Sequence, residues 1–275
     1  MKIVFWSCFP GHARVTSNLV ACALSAAVDH SYTVGLLQTQ YRNNNMQGCF
    51  IDDSALNSIN NEYYQDSGID SLMRNVTAGA TTREQIVSCS YSFLKQKLNL
   101  YVGTSSNDSN VYFRSLAKVL QRLLIDVNEA YDLTFIDTLA GANQISRDAI
   151  AEADTVVVCL PQIKWVLDYF FSTYKIEANN IFYVFGDYDP KKKLNIKTLQ
   201  KLYKKKFTKN NCGFILHNPE YADAIDAHKV INFYLAHRNA RKKDANIEFM
   251  QSVRNCTTRM LKHAGVKVYT EDRAD

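Results

Sequence analysis

The chain has 275 residues, of which 47% are hydrophobic and 21% charged, the composition of a globular protein and not of a disordered one. Its 10 glycines and 4 prolines exclude a collagen-like or low-complexity chain, and its formal net charge is +5 at pH 7. No apolar run reaches the roughly 18 residues that a transmembrane helix needs. The short apolar run after Lys2 therefore predicts a first strand rather than a secretory signal.

The cysteines are widely spaced, odd in number and without a CxxC pair. Seven are present, most of them in apolar contexts: Cys8, Cys22, Cys49, Cys89, Cys159, Cys212 and Cys256. Neither a disulfide framework nor a zinc site is typical of this spacing. We therefore expect reduced thiols and a cytoplasmic protein.

In chain order, short apolar runs alternate with segments whose apolar residues recur at helical spacing. The runs predict strands at 3–7, 33–38, 98–102, 133–136, 155–160, 181–185 and 214–216. The periodic segments predict helices at 16–28, 113–127, 163–174 and 245–263, and the segment 40–67 predicts a loop with a short helix. This alternation indicates an α/β fold in one domain spanning 1–275, with a three-layer, mostly parallel, doubly wound sheet and ligands at the carboxyl ends of its strands.

The segment 7–18 lies between the first strand and the first helix, where a phosphate-binding loop would be. Such a loop needs glycines so that backbone N–H groups surround the phosphates, a lysine, and a Ser or Thr for Mg²⁺. Gly11, Thr16 and Ser17 fit this pattern. The lysine position holds Val15, or Arg14 if the register shifts by one. Two structural alternatives stay open, in which Gly11 closes a tight turn and Thr16 caps the helix.

A second candidate element ends the strand at 133–136. Asp137 follows this strand and precedes Gly141 by four residues, the layout of a Walker B aspartate that leads into a switch loop. In that role Asp137 and Thr16 would hold Mg²⁺ when a nucleotide binds. In the structural alternative, Asp137 caps a turn or pairs with Arg147.

Positive charge is concentrated between residues 191 and 243, where fourteen Lys/Arg face three Asp/Glu. Such a block attracts nucleic acid, acidic lipid or an acidic partner, or is simply a solvated surface. Helical spacing within it predicts that Leu199, Leu202 and Phe207 point inward. The predicted basic patch comprises Lys191, Lys192, Lys193, Lys197, Lys201, Lys204, Lys205, Arg241, Lys242 and Lys243.

Four segments together carry a family resemblance. Residues 136–141 read Ile-Asp-Thr-Leu-Ala-Gly, and residues 153–158 read Ala-Asp-Thr-Val-Val-Val before a Leu-Pro pair. Residues 186–190 (Gly-Asp-Tyr-Asp-Pro) and 218–224 (Asn-Pro-Glu-Tyr-Ala-Asp-Ala) complete the pattern. Over nearly its whole length the chain resembles the ParA/MinD group of deviant-Walker P-loop ATPases, and within it the TadZ-like members linked with pilus or secretion-machine assembly. The resemblance implies a P-loop NTPase-like fold and a vestigial nucleotide site formed by Gly11, Arg14, Thr16, Ser17, Asp137 and Gly141.

The departures from the family pattern bear on activity. The two lysines of the family's loop fall at Pro10 (or the residue before it) and Val15 (or Arg14), and its strand-two aspartates fall at Gln38 and Gln40. Without these groups, the charge on the γ-phosphate is not neutralised and the attacking water is not oriented. We expect no competent ATPase on this chain alone, although Arg14 can replace a lysine in part. The cofactor is then ATP or ADP with Mg²⁺ where the loop still binds a nucleotide, and none where the loop is fully vestigial.

Two functions from different classes follow from the resemblance. The first is a non-catalytic or weakly nucleotide-binding scaffold that positions or assembles a larger machine, a pilus or secretion apparatus, through protein contacts. The second is an active, nucleotide-switched ATPase of the partition type that binds DNA weakly and without sequence preference through its lysine-rich face. A homodimer that does not depend on nucleotide is expected in the first case. No membrane anchor is expected, because the segment 260–275 contains a glycine and an acidic tail.

Overall fold

The computed structural model of the chain describes residues 1–41, 45–52, 67–79, 82–204, 206–240 and 244–268. Within these residues, eight strands form one sheet in the order β3-β4-β2-β5-β1-β6-β7-β8. The strands are β1 (Lys2–Trp6), β2 (Val34–Gln38), β3 (Tyr91–Phe93), β4 (Leu98–Leu100), β5 (Leu133–Asp137), β6 (Thr155–Leu160), β7 (Ile181–Tyr188) and β8 (Cys212–Leu216).

All strand pairs are parallel except the β3–β4 hairpin at one edge of the sheet. This arrangement confirms the predicted α/β class and the mostly parallel, P-loop NTPase-like sheet. The sequence did not predict β3, because its turn contains no glycine. Leu94, Lys95 and Gln96 instead adopt the left-handed backbone conformation there, with φ of 53°, 53° and 68°.

Helices connect the strands and cover both faces of the sheet. The described residues form α1 (Val15–Val28), α2 (Asn45–Gly48), α3 (Gly68–Ala78), α4 (Arg83–Ser88), α5 (Ser109–Ala130), α6 (Gln144–Ala151), α7 (Lys164–Thr173), α8 (Ile196–Leu202), α9 (Pro219–Asp226), α10 (Val230–His237) and α11 (Ile247–His263). The four long predicted helices are confirmed as α1, α5, α7 and α11. None of the described helices is long and apolar enough to cross a membrane.

Two apolar layers hold the sheet between its helices. Successive residues of a strand point to opposite faces, so Phe5 and Phe135 pack beneath α1 and α11 while Val4 and Ile136 pack beneath α5 and α7. The central strands are mostly apolar because both of their faces are covered. Each fully buried Val, Leu, Ile or Phe side chain contributes about 1.5–3 kcal/mol, so the central strands are the most strongly held part of the fold.

All seven cysteines lie within the described residues, and each is buried. Cys22 of α1, Cys159 of β6 and Cys256 of α11 converge in the layer beneath α1. Burial raises the pKa of the Cys8 and Cys212 thiols above the ordinary value. Such thiols are poor nucleophiles.

The lysine-rich segment departs from the prediction at one apolar residue. Leu199 and Phe207 are buried as expected, with 0% and 3% of their surface exposed, but Leu202 is 52% exposed. Leu202 is the last residue of α8, and its side chain lies at the exposed end of that helix. Lys204 follows two residues after the helix ends.

Candidate functional site

A cleft of about 820 Å³ opens at the carboxyl edge of the sheet, above β1 and β5. One wall is the loop after β1 together with the first turn of α1, and the residues after β5 extend this wall. Residues from α2 and from the turn between α9 and α10 form the opposite wall. Parallel sheets place ligands at this edge, and the cleft is large enough for a nucleotide.

The loop wall brings together four predicted site residues: Gly11, Arg14, Thr16 and Ser17 all line the cleft. Gly11 has φ of 74° and open space where a Cβ would lie, so it serves the turn that the sequence suggested. Arg14 has left-handed angles (φ 51°, ψ 42°) immediately before α1, a conformation that costs a non-glycine residue about 1 kcal/mol. Its exposed guanidinium is the cation that this loop offers to the cleft.

Asp137 is 0% exposed and does not itself line the cleft, but its hydrogen-bond partners Thr16 and Gln40 do. We call these three residues the floor of the cleft. The Thr16 hydroxyl donates to its Oδ2 at 2.6 Å, and the Gln40 side-chain amide donates to its Oδ1 at 3.1 Å. Burial raises the pKa of Asp137 to about 7, although the bond from Thr16 acts in the opposite direction. The carboxyl group is therefore partly protonated near neutral pH unless a cation binds it.

Two of the structural alternatives are wrong: the pair of Asp137 with Arg147 and the cap formed by Thr16. Arg147 does not pair with Asp137, because its guanidinium donates to the Ala142 carbonyl at 2.6 Å and to the Gln144 side chain at 2.9 Å. Thr16 does not cap α1, since no described side chain caps this helix and the Thr16 hydroxyl is bonded to Asp137.

Two glutamines lie beside Asp137, at the positions where the family resemblance implied aspartates. Gln40 uses its amide nitrogen on Asp137, and its side-chain oxygen has no described partner. Gln38 ends β2 directly opposite Asp137 and is 1% exposed, and neither atom of its side-chain amide has a hydrogen-bond partner among the described residues. A neutral amide cannot act as a general base.

Gly141 is not among the described residues that line the cleft, but it ties two neighbouring loops together. Its N–H donates to the Ser7 carbonyl at 2.9 Å, and its carbonyl accepts from the Trp6 indole at 3.0 Å. The φ of Gly141 is 78°, which favours glycine. The loops that follow β1 and β5 are thereby held to each other.

The opposite wall is a part of the site that sequence reasoning missed. Gly48, Cys49, Asp226 and His228 line it, and the His228 ring is hydrogen-bonded to the Gly48 carbonyl. The Tyr221 hydroxyl donates to the Ser17 carbonyl at 2.9 Å, which holds α9 over the start of α1. No motif in the sequence signals these contacts, because they join segments about 180–200 residues apart.

The predicted basic patch lies outside the cleft. Its described members are exposed side chains of the β7–α8 loop, of α8 and of the segment after it: Lys191, Lys192, Lys193, Lys197, Lys201 and Lys204. Lys205, Arg241, Lys242 and Lys243 lie outside the described residues. Whether the two lysine-rich segments meet is therefore still a prediction.

The oxygen ligands at the floor fit Mg²⁺ better than the loop fits phosphate. A Thr hydroxyl and a carboxylate are ordinary Mg²⁺ ligands, so Thr16 and Asp137 would hold the ion of a bound Mg–nucleotide. No lysine is among the described residues that line the cleft, and Asp226 adds a negative charge on the opposite wall. In the described ranges no group of three or more His, Cys, Asp or Glu is arranged to hold a metal ion by itself.

Comparisons with known proteins show the fold. No family model matches the sequence, and no curated protein sequence is similar to it. Among solved structures, the septum site-determining protein MinD with Mg-ADP from Pyrococcus horikoshii OT3 superposes with a TM-score of 0.67 at 13% identity, over 96% of this chain and 98% of that one. MinD in the MinC:MinD cell division complex of Aquifex aeolicus gives 0.62 at 14% identity over 100% of both chains. A putative plasmid partition protein from Borrelia burgdorferi B31, bound to AMPPNP, gives 0.56 at 17% identity over 95% of this chain and 98% of that one. At these identities the likeness establishes that the chain has the ParA/MinD-type P-loop NTPase fold.

Proposed function

We propose that this protein is a non-hydrolysing scaffold with the ParA/MinD fold, which positions or assembles a larger machine through protein contacts and binds nucleotide weakly. The observation that carries the proposal is the cleft itself. Its floor keeps the Thr16–Asp137 pair, whereas Pro10 and Val15 occupy the loop positions where the family has lysines, and the Gln40 amide contacts the carboxylate.

The lost groups are those that make phosphoryl transfer fast. Catalysis in this class rests on neutralising the γ-phosphate and on orienting the attacking nucleophile. Arg14 is the cation of the loop wall, and Gln38 and Gln40 supply amides where carboxylates would position water. An arginine pairs well with phosphate, so the loss of the loop lysines lowers nucleotide affinity less than it lowers the rate of ATP hydrolysis.

The first experiment tests nucleotide binding and turnover separately. Thermal shift with ATP, ADP and Mg²⁺ measures binding, because a ligand at about 100 times its dissociation constant stabilises the folded state by about 2.7 kcal/mol. We expect a shift only at millimolar nucleotide and ATP hydrolysis at background. Turnover that disappears in Asp137→Ala would restore the ATPase function and contradict the proposal.

Assembly through protein contacts has support from two directions. Over nearly its whole length the sequence resembles the ParA/MinD group, and within that group the TadZ-like members linked with pilus or secretion machines. One structure of similar fold contains MinD together with the protein MinC. We propose a homodimer as the assembled form. Pro10 stands where the family has a loop lysine and cannot contact a nucleotide as a lysine would, so we propose that the dimer forms without nucleotide. Sedimentation should detect the same dimer with and without ATP, and a dimer seen only with ATP would contradict this.

The second candidate function is a partition-type protein that binds DNA. The exposed lysines of α8 and its flanking loops favour it, because such a surface attracts phosphate without reading sequence. Affinity for duplex DNA should then fall about 10³-fold or more between 50 and 200 mM salt. Charge reversal of Lys197, Lys201 and Lys205 should abolish that binding and leave folding unchanged.

A further inference from the structure

A shallow depression of about 350 Å³ lies between the end of α7 and the end of α8. We call it the α8 surface, defined by Phe171, Lys201, Leu202, Tyr203, Lys204 and Lys206. It shares no residue with the nucleotide cleft.

The floor of the α8 surface is apolar and aromatic. The Phe171 ring lies 5.2 Å from the Tyr203 ring and 5.3 Å from the buried Phe207 ring, measured between centroids. Leu202 is 52% exposed beside this floor. Leu202, Phe171 and Tyr203 thus form an apolar group rimmed by polar side chains, and exposed apolar groups of this kind mark contact sites.

Local contacts hold the floor in place and neutralise its nearest acid. The Tyr203 hydroxyl donates to Asp168 Oδ1 at 2.7 Å, and the Lys164 ammonium donates to Asp168 Oδ2 at 2.5 Å. Both bonds lower the pKa of Asp168, that from Lys164 most strongly. Asp168 is therefore already paired on both oxygens.

The rim of the α8 surface carries positive charge without a matching acid. Lys201, Lys204 and Lys206 are exposed, and in the described part of the chain none of them forms an ion pair. The Lys206 ammonium lies 5.5 Å above the Phe171 ring. The surrounding segment 191–209 contains nine lysines and no Asp or Glu.

We propose that the α8 surface binds an acidic segment of a partner protein that inserts an apolar side chain beside Leu202 and Phe171. Its carboxylates would pair with the lysine rim, and its apolar side chain would cover the aromatic floor. Duplex DNA binds mainly through its phosphates, which need no contact with Leu202. A second copy of this chain that met the α8 surface with its own α8 surface would present like charge. This inference goes beyond the proposed function, because it needs no nucleotide and concerns a surface outside the cleft.

The experiment selects ligands without assuming their sequence. A phage library of random 12-residue peptides is panned on the full chain, and the best peptide is then measured by fluorescence anisotropy. We expect enriched peptides that combine Asp or Glu with Leu, Ile, Phe or Trp. Leu202→Ser should weaken the best peptide about fivefold or more, and the Lys201→Glu, Lys204→Glu double variant about tenfold or more.

Matched variants elsewhere on the protein are the controls. Leu235→Ser removes a leucine of α10 that is 47% exposed, and Lys229→Glu reverses an exposed charge away from the α8 surface. Both should leave peptide affinity unchanged, and circular dichroism should show that every variant is folded. Peptide binding should also be the same with and without ADP, so failure of the nucleotide test leaves this inference standing.

Three outcomes would overturn the inference. They are the absence of any enriched peptide, enrichment of peptides without acidic residues, and equal affinity of the wild type and Leu202→Ser. Duplex DNA that binds through the lysines and is insensitive to Leu202→Ser would instead assign the α8 surface to the partition-type function.

Discussion

The floor and the loop wall of the cleft differ in burial and in the ligand groups that they offer. The floor is buried and hydrogen-bonded, with Asp137 held between Thr16 and Gln40. The loop wall is exposed from Pro10 to His12 and carries the single guanidinium of Arg14. The fold therefore preserves oxygen ligands for a cation while the positive charge that phosphates need is largely absent.

This difference indicates which residues of the cleft are constrained by the fold itself. Asp137 ends a central strand, so its position follows from the sheet, and its hydrogen bonds stabilise the loop crossings around it. The side chains of Pro10, His12 and Arg14 are exposed, so they can change at little cost to the fold. The experiments below alter the floor, then the loop, then the tie between them, and last a site outside the cleft.

The largest effect is expected at the floor, in the dependence of stability on pH. Folding raises the pKa of Asp137 from an ordinary value of 3.8 to about 7, so the folded state retains a proton that the unfolded chain releases. Stability is then highest at low pH, falls as pH rises towards 7 and levels off above it. Asp137→Asn removes this loss of stability. The free energy of unfolding of the variant, relative to that of the wild type, should therefore grow by roughly 3 kcal/mol between pH 5 and 8.

Urea unfolding in EDTA at several pH values measures this advantage. Gln40 can turn its unpartnered oxygen towards the new amide, so the variant keeps both hydrogen bonds. Asp223→Asn, at an exposed position, is the matched control and should show no such trend. A constant difference between Asp137→Asn and the wild type would mean that Asp137 is ionised throughout.

The next effect is expected at the loop wall, from a restored lysine. Val15 lines the cleft at the start of α1, so Val15→Lys brings an ammonium to the phosphate side. A hydrogen bond to a charged group contributes about 1.5–3 kcal/mol, which predicts a gain in ADP affinity of about tenfold to a hundredfold. Calorimetric titration with Mg-ADP tests this, with Val111→Lys on the exposed face of α5 as control. Equal gains in both variants would show that net charge alone is responsible.

A smaller effect is expected at the tie between the loops. Trp6 is 2% exposed, and its indole donates to the Gly141 carbonyl at 3.0 Å. Trp6→Phe leaves that carbonyl unpaired, which should cost about 1–2 kcal/mol. Thermal unfolding measures the loss, and Trp165→Phe, at a tryptophan that is 56% exposed, should change stability much less. An unchanged Tm for Trp6→Phe would show that the two loops are held by other contacts.

The smallest effect is expected outside the cleft, at the pair formed by His217 and Asp187. Their side chains approach to 2.6 Å but are 57% and 44% exposed. Exposed ion pairs contribute little, so His217→Ala should change stability by less than about 0.5 kcal/mol. Urea unfolding at pH 6 and pH 8 tests this, and a loss above about 1 kcal/mol would give the pair a larger structural role than its exposure implies.

The fold was predictable where strands are apolar and the chain order is regular. The apolar runs at 3–7 and 133–136 were predicted as strands of a mostly parallel sheet, and they pair in parallel as β1 and β5. The sequence also suggested Thr16 and Asp137 as joint Mg²⁺ ligands, and their side chains are hydrogen-bonded to each other. The site residues remain predictions as nucleotide ligands until binding is measured.

Other features depend on information that a local pattern does not contain. Leu202 is the exposed last residue of α8, and no capping residue in the sequence marks that end. The wall formed by Gly48 and His228 depends on α9 and α10 crossing the edge of the sheet. The hydrogen bond from Gln40 to Asp137 could not be predicted, because it depends on the path that the backbone takes after β2. Long-range packing decided each of these.

The burial of every cysteine gives the molecule an internal reporter of its own opening. A thiol that is inaccessible in the folded state reacts with a labelling reagent only while its surroundings are transiently open, so labelling rates measure local opening free energies. Cys22, Cys159 and Cys256 would report on the layer beneath α1. Cys49 lines the cleft, and burial raises its pKa to about 12, so slower labelling in the presence of a nucleotide would detect an occupant directly. The same chain could thus report on its core and on its cleft without any introduced probe.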